Sequence, residues 1–248
     1  FPLASTPFDM DMGPTEPQEG KPIYAGVSGG DSGTVELFNL TTGTRQQTNM
    51  DGPIGNPRFR KDAQITLVAN YHSQALSVFD TASLGAICDL PVAMRPENLC
   101  FSGDFGQLFL SGAGMDGVAI VFLYNMLEVE QTVLAGRQPG VMACSPKPPY
   151  LLFVSSRGGP EISILSVDSR KEVALLHAGH RPKQMLVTPD SQYAFALSAE
   201  TGDLAVIHIP SIRANRHMST PWNNKSDATL FAMLPVGDDP VHAAVVPI

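Results

Sequence analysis

Four segments of this chain share one spacing. Ala93-Met-Arg-Pro96, Gly136-Arg-Gln-Pro139, Gly179-His-Arg-Pro182 and Gly237-Asp-Asp-Pro240 each end on a proline, and those prolines fall 43, 43 and 58 residues apart. The last interval is one period plus an insertion of 15 residues. One period back from Pro96 lies Pro53, inside the more degenerate Asp51-Gly-Pro-Ile-Gly-Asn-Pro57. Self-similarity at roughly 40 to 50 residues marks a propeller or a solenoid.

The residues between the prolines decide between the two. A short apolar run follows each proline: Leu99–Phe101, Val141–Cys144, Met185–Val187 and Ala243–Val246. A turn comes next, as in Ser102-Gly-Asp104 or Thr188-Pro-Asp190. A second run (Ile65–Ala69, Leu108–Leu110, Tyr150–Val154, Tyr193–Leu197) is then usually linked by a polar, glycine-containing loop to a third (Val35–Asn39, Leu76–Asp80, Ala119–Leu123, Ile162–Ser166, Leu204–His208). A fourth, more polar run closes the unit, for example Glu172–His177. Short runs rich in β-branched and aromatic residues, bounded by turn formers, read as strands. No stretch has apolar residues at helical spacing. Four strands per period, with the outermost the most polar, predict an all-β fold: a β-propeller of four-stranded antiparallel blades.

The phase of the repeat sets the predicted organisation. Coherent repeat runs from 21 to 248 as one propeller domain of five blades, interrupted at 211–227. Ile23–Val27 reads as a second strand and Val241–Val246 as a first strand. Pairing those two would close the ring and hide its edges. Residues 1–20 carry four prolines and no strand pattern, so they read as a tail or linker. The chain opens on Phe1 rather than Met, as a trimmed form would, and a longer chain would give six or seven blades.

Composition limits the partners. A net charge of −8 repels a phosphate backbone, which argues against nucleic acid. The longest apolar run, Val118–Tyr124, is far short of the roughly 18 residues of a membrane span. Three cysteines without a CxxC pattern are not a disulfide framework, so Cys88, Cys100 and Cys144 are expected as thiols. Cys100 and Cys144 are out of phase by one residue and are expected to face opposite sides of their blades.

Val187-Thr-Pro-Asp-Ser-Gln-Tyr-Ala-Phe195 and Leu76-Ser-Val-Phe-Asp-Thr-Ala82 resemble the two halves of the repeat of YVTN-type propellers. These are secreted, periplasmic and surface-layer proteins of bacteria and archaea. The resemblance covers 21 to 248, although no clean Asp-Gly turn is present. It implies a propeller and an extracytoplasmic setting, and it leaves the activity open, because such folds host many functions.

Propellers bind at the mouths of their channels. The Gly-x-x-Pro loops put Arg95, Arg137, His180, Arg181, Asp238 and Asp239 on one predicted rim. The loops between second and third strands add Arg157, Glu161, Glu200 and Asp203. Solvated turn residues would look the same, so these are binding candidates only. The insertion offers His217 and the chain's one Trp, Trp222, as contacts on the opposite rim. The six histidines form no HxH or HExxH pattern, so neither a metal nor a cofactor is expected. No nucleophile motif stands out. The sequence therefore points to a non-enzymatic binding module for a protein, peptide, glycan or small anion. A lactonase-like hydrolase and a propeller subunit of a cofactor-bearing oxidoreductase are the alternatives.

Overall fold

The computed structural model describes residues 2–14, 19–123, 128–178, 180–212 and 230–245. They form five four-stranded antiparallel sheets, the blades of a β-propeller. Blade 1 holds β1 (Asp9–Gly13), β2 (Tyr24–Ser28), β3 (Thr34–Asn39) and β4 (Thr44–Asn49). Blade 2 holds β5 (Pro57–Phe59), β6 (Ile65–Asn70), β7 (Ala75–Asp80) and β8 (Ala86–Pro91). Blade 3 holds β9 (Arg95–Phe101), β10 (Leu108–Ala113), β11 (Gly117–Phe122) and β12 (Glu128–Leu134). Blade 4 holds β13 (Pro139–Cys144), β14 (Leu151–Ser156), β15 (Glu161–Ser166) and β16 (Lys171–His177), and blade 5 holds β17 (Pro182–Val187), β18 (Tyr193–Ser198), β19 (Asp203–His208) and β20 (Leu230–Pro235). Among the described residues no helix is long and apolar enough to cross a membrane.

Two compact units make up the chain. The first spans Phe1–Leu99, Leu110–Gly114 and Val121–Glu130, and so contains blades 1 and 2. Its core lies between those blades: Val35 and Leu37 of blade 1 meet Ile54, Phe59, Val68 and Phe79 of blade 2. Asn56, just before β5, is buried, yet its amide is fully used. Its Oδ1 accepts from the Leu99 N–H at 2.7 Å, and its Nδ2 donates to the Leu99 carbonyl at 3.4 Å. The neighbouring Gly55 must lack a side chain because the Glu97 carbonyl occupies that space.

Blade 1 corrects two expectations. Residues 9–13 are not part of a tail; β1 pairs with β2 along a register from Asp9↔Ser28 to Gly13↔Tyr24. The C-terminal segment does not take that place: β2 is flanked by β1 and β3, and residues 241–245 form no strand. The physical reason is visible in Asp9-Met-Asp-Met-Gly13, which alternates with the period of a strand. Asp9 sits 3.1 Å from Arg58, and an Asp11 oxygen accepts from the Phe59 N–H at 2.8 Å, whereas Met10 and Met12 are exposed. Upstream, Ala4 N donates to buried Glu36, whose other oxygen lies 2.7 Å from the Arg45 guanidinium.

The second unit, Cys100–Phe109, Met115–Ile120 and Gln131–Ile248, contains blades 4 and 5. Their interface sets large against small: Phe153, Ile162 and Ile164 of blade 4 face Ala194, Ala196 and Ala205 of blade 5, all fully buried. The predicted turns are stapled by a hydroxyl and a carboxylate. Ser102 Oγ donates to Asp104, and Thr188 Oγ1 to Asp190, each at 2.5 Å. These bonds hold both carboxyls below their usual range.

None of the three cysteines is in a disulfide. Burial pushes the Cys144 thiol well above its ordinary range, and the nearby Cys100 adds to that shift. Side chains that approach each other from neighbouring blades lie on opposite sides of their own blades, so this interaction is compatible with the one-residue offset. The packing of the turn after β9 against Ser145 and Pro146 brings these first strands together.

Candidate functional site

The second unit gathers most of the predicted rim residues. Its Gly-x-x-Pro loops share an unusual backbone: Gln138, Arg181 and Asp239, each directly before its proline, have φ of 49°, 47° and 47°. Left-handed φ is sparse outside glycine, and a following proline further disfavours compact conformations. Such strain persists only where the surroundings enforce it. Around Gln138 they do. Its N–H donates to Asp116 Oδ1 at 2.9 Å, and its carbonyl accepts from Arg157 N at 3.0 Å. The preceding Arg137 carbonyl accepts from Ser156 Oγ at 2.6 Å.

The same contacts collect three arginines. Arg157 begins the loop between β14 and β15 and runs along Gly140, where a methyl group would lie 3.3 Å from its Cγ. Gly158, the next residue, passes against the Arg137 side chain; a methyl group there would lie 3.3 Å from the Arg137 Cβ. From the following blade, Arg181 Nε donates to the Arg157 carbonyl at 3.2 Å. Arg137 and Arg181 are exposed and Arg157 is half-buried. The result is an arc of three arginines rooted on adjacent, braced backbone; a guanidinium suits carboxylate or phosphate oxygens.

Four of the predicted carboxylates collect elsewhere, at the end of β20. Val236 N donates to the Gly202 carbonyl at 2.8 Å, which joins the loop carrying Glu200 and Asp203 to the one carrying Asp238 and Asp239. His180 is exposed beside Arg181, and Glu161 heads β15 opposite His177. Arg95 belongs to the first unit, where its guanidinium lies 5.6 Å from the centre of the Tyr71 ring. His217 and Trp222 lie outside the described residues. Asp116 and Tyr71 were not among the sequence candidates. Asp116 stands in the loop between β10 and β11, but nothing in the sequence marks it as the group that holds Gln138. Among the described residues no group of three or more His, Cys, Asp or Glu could hold a metal ion.

The fold is shared with solved proteins of unlike chemistry. Hydrazine synthase of Kuenenia stuttgartiensis superposes with a TM-score of 0.64 at 13% identity, covering 95% of this chain and 88% of that one. Proposed 6-phosphogluconolactonases of Bacteroides fragilis and Bacteroides uniformis give TM-scores of 0.68 and 0.70 at 18% and 17% identity. They cover 91% of this chain in each case, and 70% and 71% of their own. No protein-family model and no curated protein matches the sequence. At these identities the likeness establishes the propeller and leaves its chemistry to the residues.

The first unit has a cavity of about 230 Å³ lined by Lys21, Tyr24, Asp62, Gln64 and Asp80 among others. Its carboxylates are engaged in their own turns: Asp62 with Arg60, and Asp80 with Ser83. Asp11 is the titratable group out of balance. Burial pushes its carboxyl above the ordinary range, although Arg58 and the Phe59 amide pull the other way. Folding therefore disfavours its ionised form. Its contribution favours the fold at low pH and is lost as pH rises through the raised value. Asp11→Asn keeps an oxygen for the Phe59 N–H and removes the charge. It should raise the melting temperature at pH 7 and change it little at pH 3. A variant that melts lower by the same amount at both values would contradict this.

Proposed function

We propose that this chain is a binding module that takes a small anion, carrying carboxylate or phosphate oxygens, on the Arg137–Arg157–Arg181 arc. The observation behind the reading is the adjacency of these three arginines on loops braced by Gln138, Asp116 and Ser156. Arginine forks pair with such oxygens through two parallel N–H bonds, and a preset backbone lowers the ordering cost of binding. The arc is open to water, so its affinity is modest and falls with salt.

The lactonase named for the two Bacteroides proteins would also need groups that activate water or a nucleophile. Around the arc the described residues supply cations, backbone carbonyls and two carboxylates, Asp116 on the Gln138 N–H and Glu161 beside Gly159, with His180 next to Arg181 in the chain. The YVTN-type pattern of the repeat supports an extracytoplasmic setting for such a module.

Calorimetric titration with citrate and with inorganic phosphate tests the reading. Binding should weaken about fivefold in Arg137→Ala or Arg181→Ala, and again between 50 and about 200 mM salt. Lactone hydrolysis above background that disappears in His180→Ala would overturn it in favour of an enzyme.

A further inference from the structure

The outermost strands of the blades are not alike. β4 carries Arg45, β8 carries Asp89, β12 carries Glu128 and Glu130, and β16 carries Lys171 and Glu172. β20, Leu230-Phe-Ala-Met-Leu-Pro235, carries no charge. Among the described residues it ends its sheet, paired to β19 alone. Phe231 is 67% exposed, Leu234 47%, Met233 39% and the following Val236 44%. Charges on edge strands are a common guard against pairing with another chain, and here that guard is missing. Pro235, which has no N–H, and a bulge at Phe231 limit the open stretch to a few residues.

At its C-terminal end the apolar edge runs into the carboxylates of Glu200, Asp203, Asp238 and Asp239. Among the described residues no ion pair engages any of the four. An apolar strip rimmed by polar groups is the usual form of a protein contact surface. A short edge with unused backbone groups recruits an extended segment by strand addition. The acidic end, on a chain of net charge −8, selects the sign of that segment. We infer that the edge of β20 docks an extended apolar peptide of a partner protein whose Lys or Arg residues lie beside Pro235. In an antiparallel addition these basic residues stand at the peptide's N-terminal end.

The test uses a dye-labelled peptide of alternating valine and threonine that begins with two lysines, followed by fluorescence anisotropy on the full chain. It should bind, and more weakly as salt rises. A matched peptide beginning with two glutamates should bind about tenfold less well. Met233→Lys, which puts a charge on the exposed edge, should reduce binding about tenfold with an unchanged melting temperature. Asp238→Asn combined with Asp239→Asn should lower affinity for the lysine peptide alone. Equal binding of the two peptides, or unaltered binding by Met233→Lys, would overturn the inference. So would sedimentation showing a dimer of this chain that Met233→Lys dissociates, because the edge would then belong to a second copy.

Discussion

Removal of residues 1–13 is expected to unfold blade 1 and to leave the chain insoluble or melting far below the intact protein. β1 supplies the inner partner of β2 over five paired residues. At about 1 kcal/mol net for each hydrogen bond, that ladder alone approaches the lower end of the roughly 5–15 kcal/mol that holds a domain folded. The deletion also takes the Asp11 acceptor from Phe59 and the Ala4 donor from buried Glu36. Gly13 packs directly on the Phe59 ring, so the core between blades 1 and 2 would open to water. Circular dichroism melts of the truncated chain are the measurement. A melting temperature within a few degrees of the full chain would show that β1 is dispensable.

Asn56→Ala should cost about 2–4 kcal/mol, because it leaves two buried backbone groups of Leu99 without partners at about 1–3 kcal/mol each. For a chain of this size that corresponds to a fall of roughly 5–15 °C in melting temperature. Asn56 and Leu99 are 5% and 2% exposed, so water cannot easily replace the lost bonds. Asn49→Ala, at an exposed position, should shift the melting temperature hardly at all and serves as the control. If both variants melt together, the amide of Asn56 contributes nothing to the packing of β5 against β9.

These two sites also mark where the sequence stops being readable. The second and third strands were legible because both of their faces are covered, which forces runs such as Leu67–Ala69 or Leu151–Val154 to be apolar throughout. β1 was not. It is short, lies among prolines, and alternates Asp with Met, residues with weak strand preference; only its pairing with β2 makes it a strand. Asn56 reads as a turn former in Gly55-Asn-Pro57, and nothing local reveals that its amide stands in for a strand's backbone. The repeat placed Arg95, Arg137 and Arg181 in equivalent loops. It could not tell that Tyr71 would occupy Arg95, or that Arg157 would reach in from another loop to join the other two.

The braced conformation of Gln138 has a consequence for how this surface could behave in a larger assembly. A loop whose amide and carbonyl are both tied, and whose next residue is a proline, has little motion left to surrender. Whatever rests on it meets the same shape before and after contact. Such a surface discriminates by fit and relays almost nothing: occupancy there would not be felt elsewhere as a change of shape. Any message passed on would have to come from the bound molecule itself, as charge or bulk presented to a neighbour.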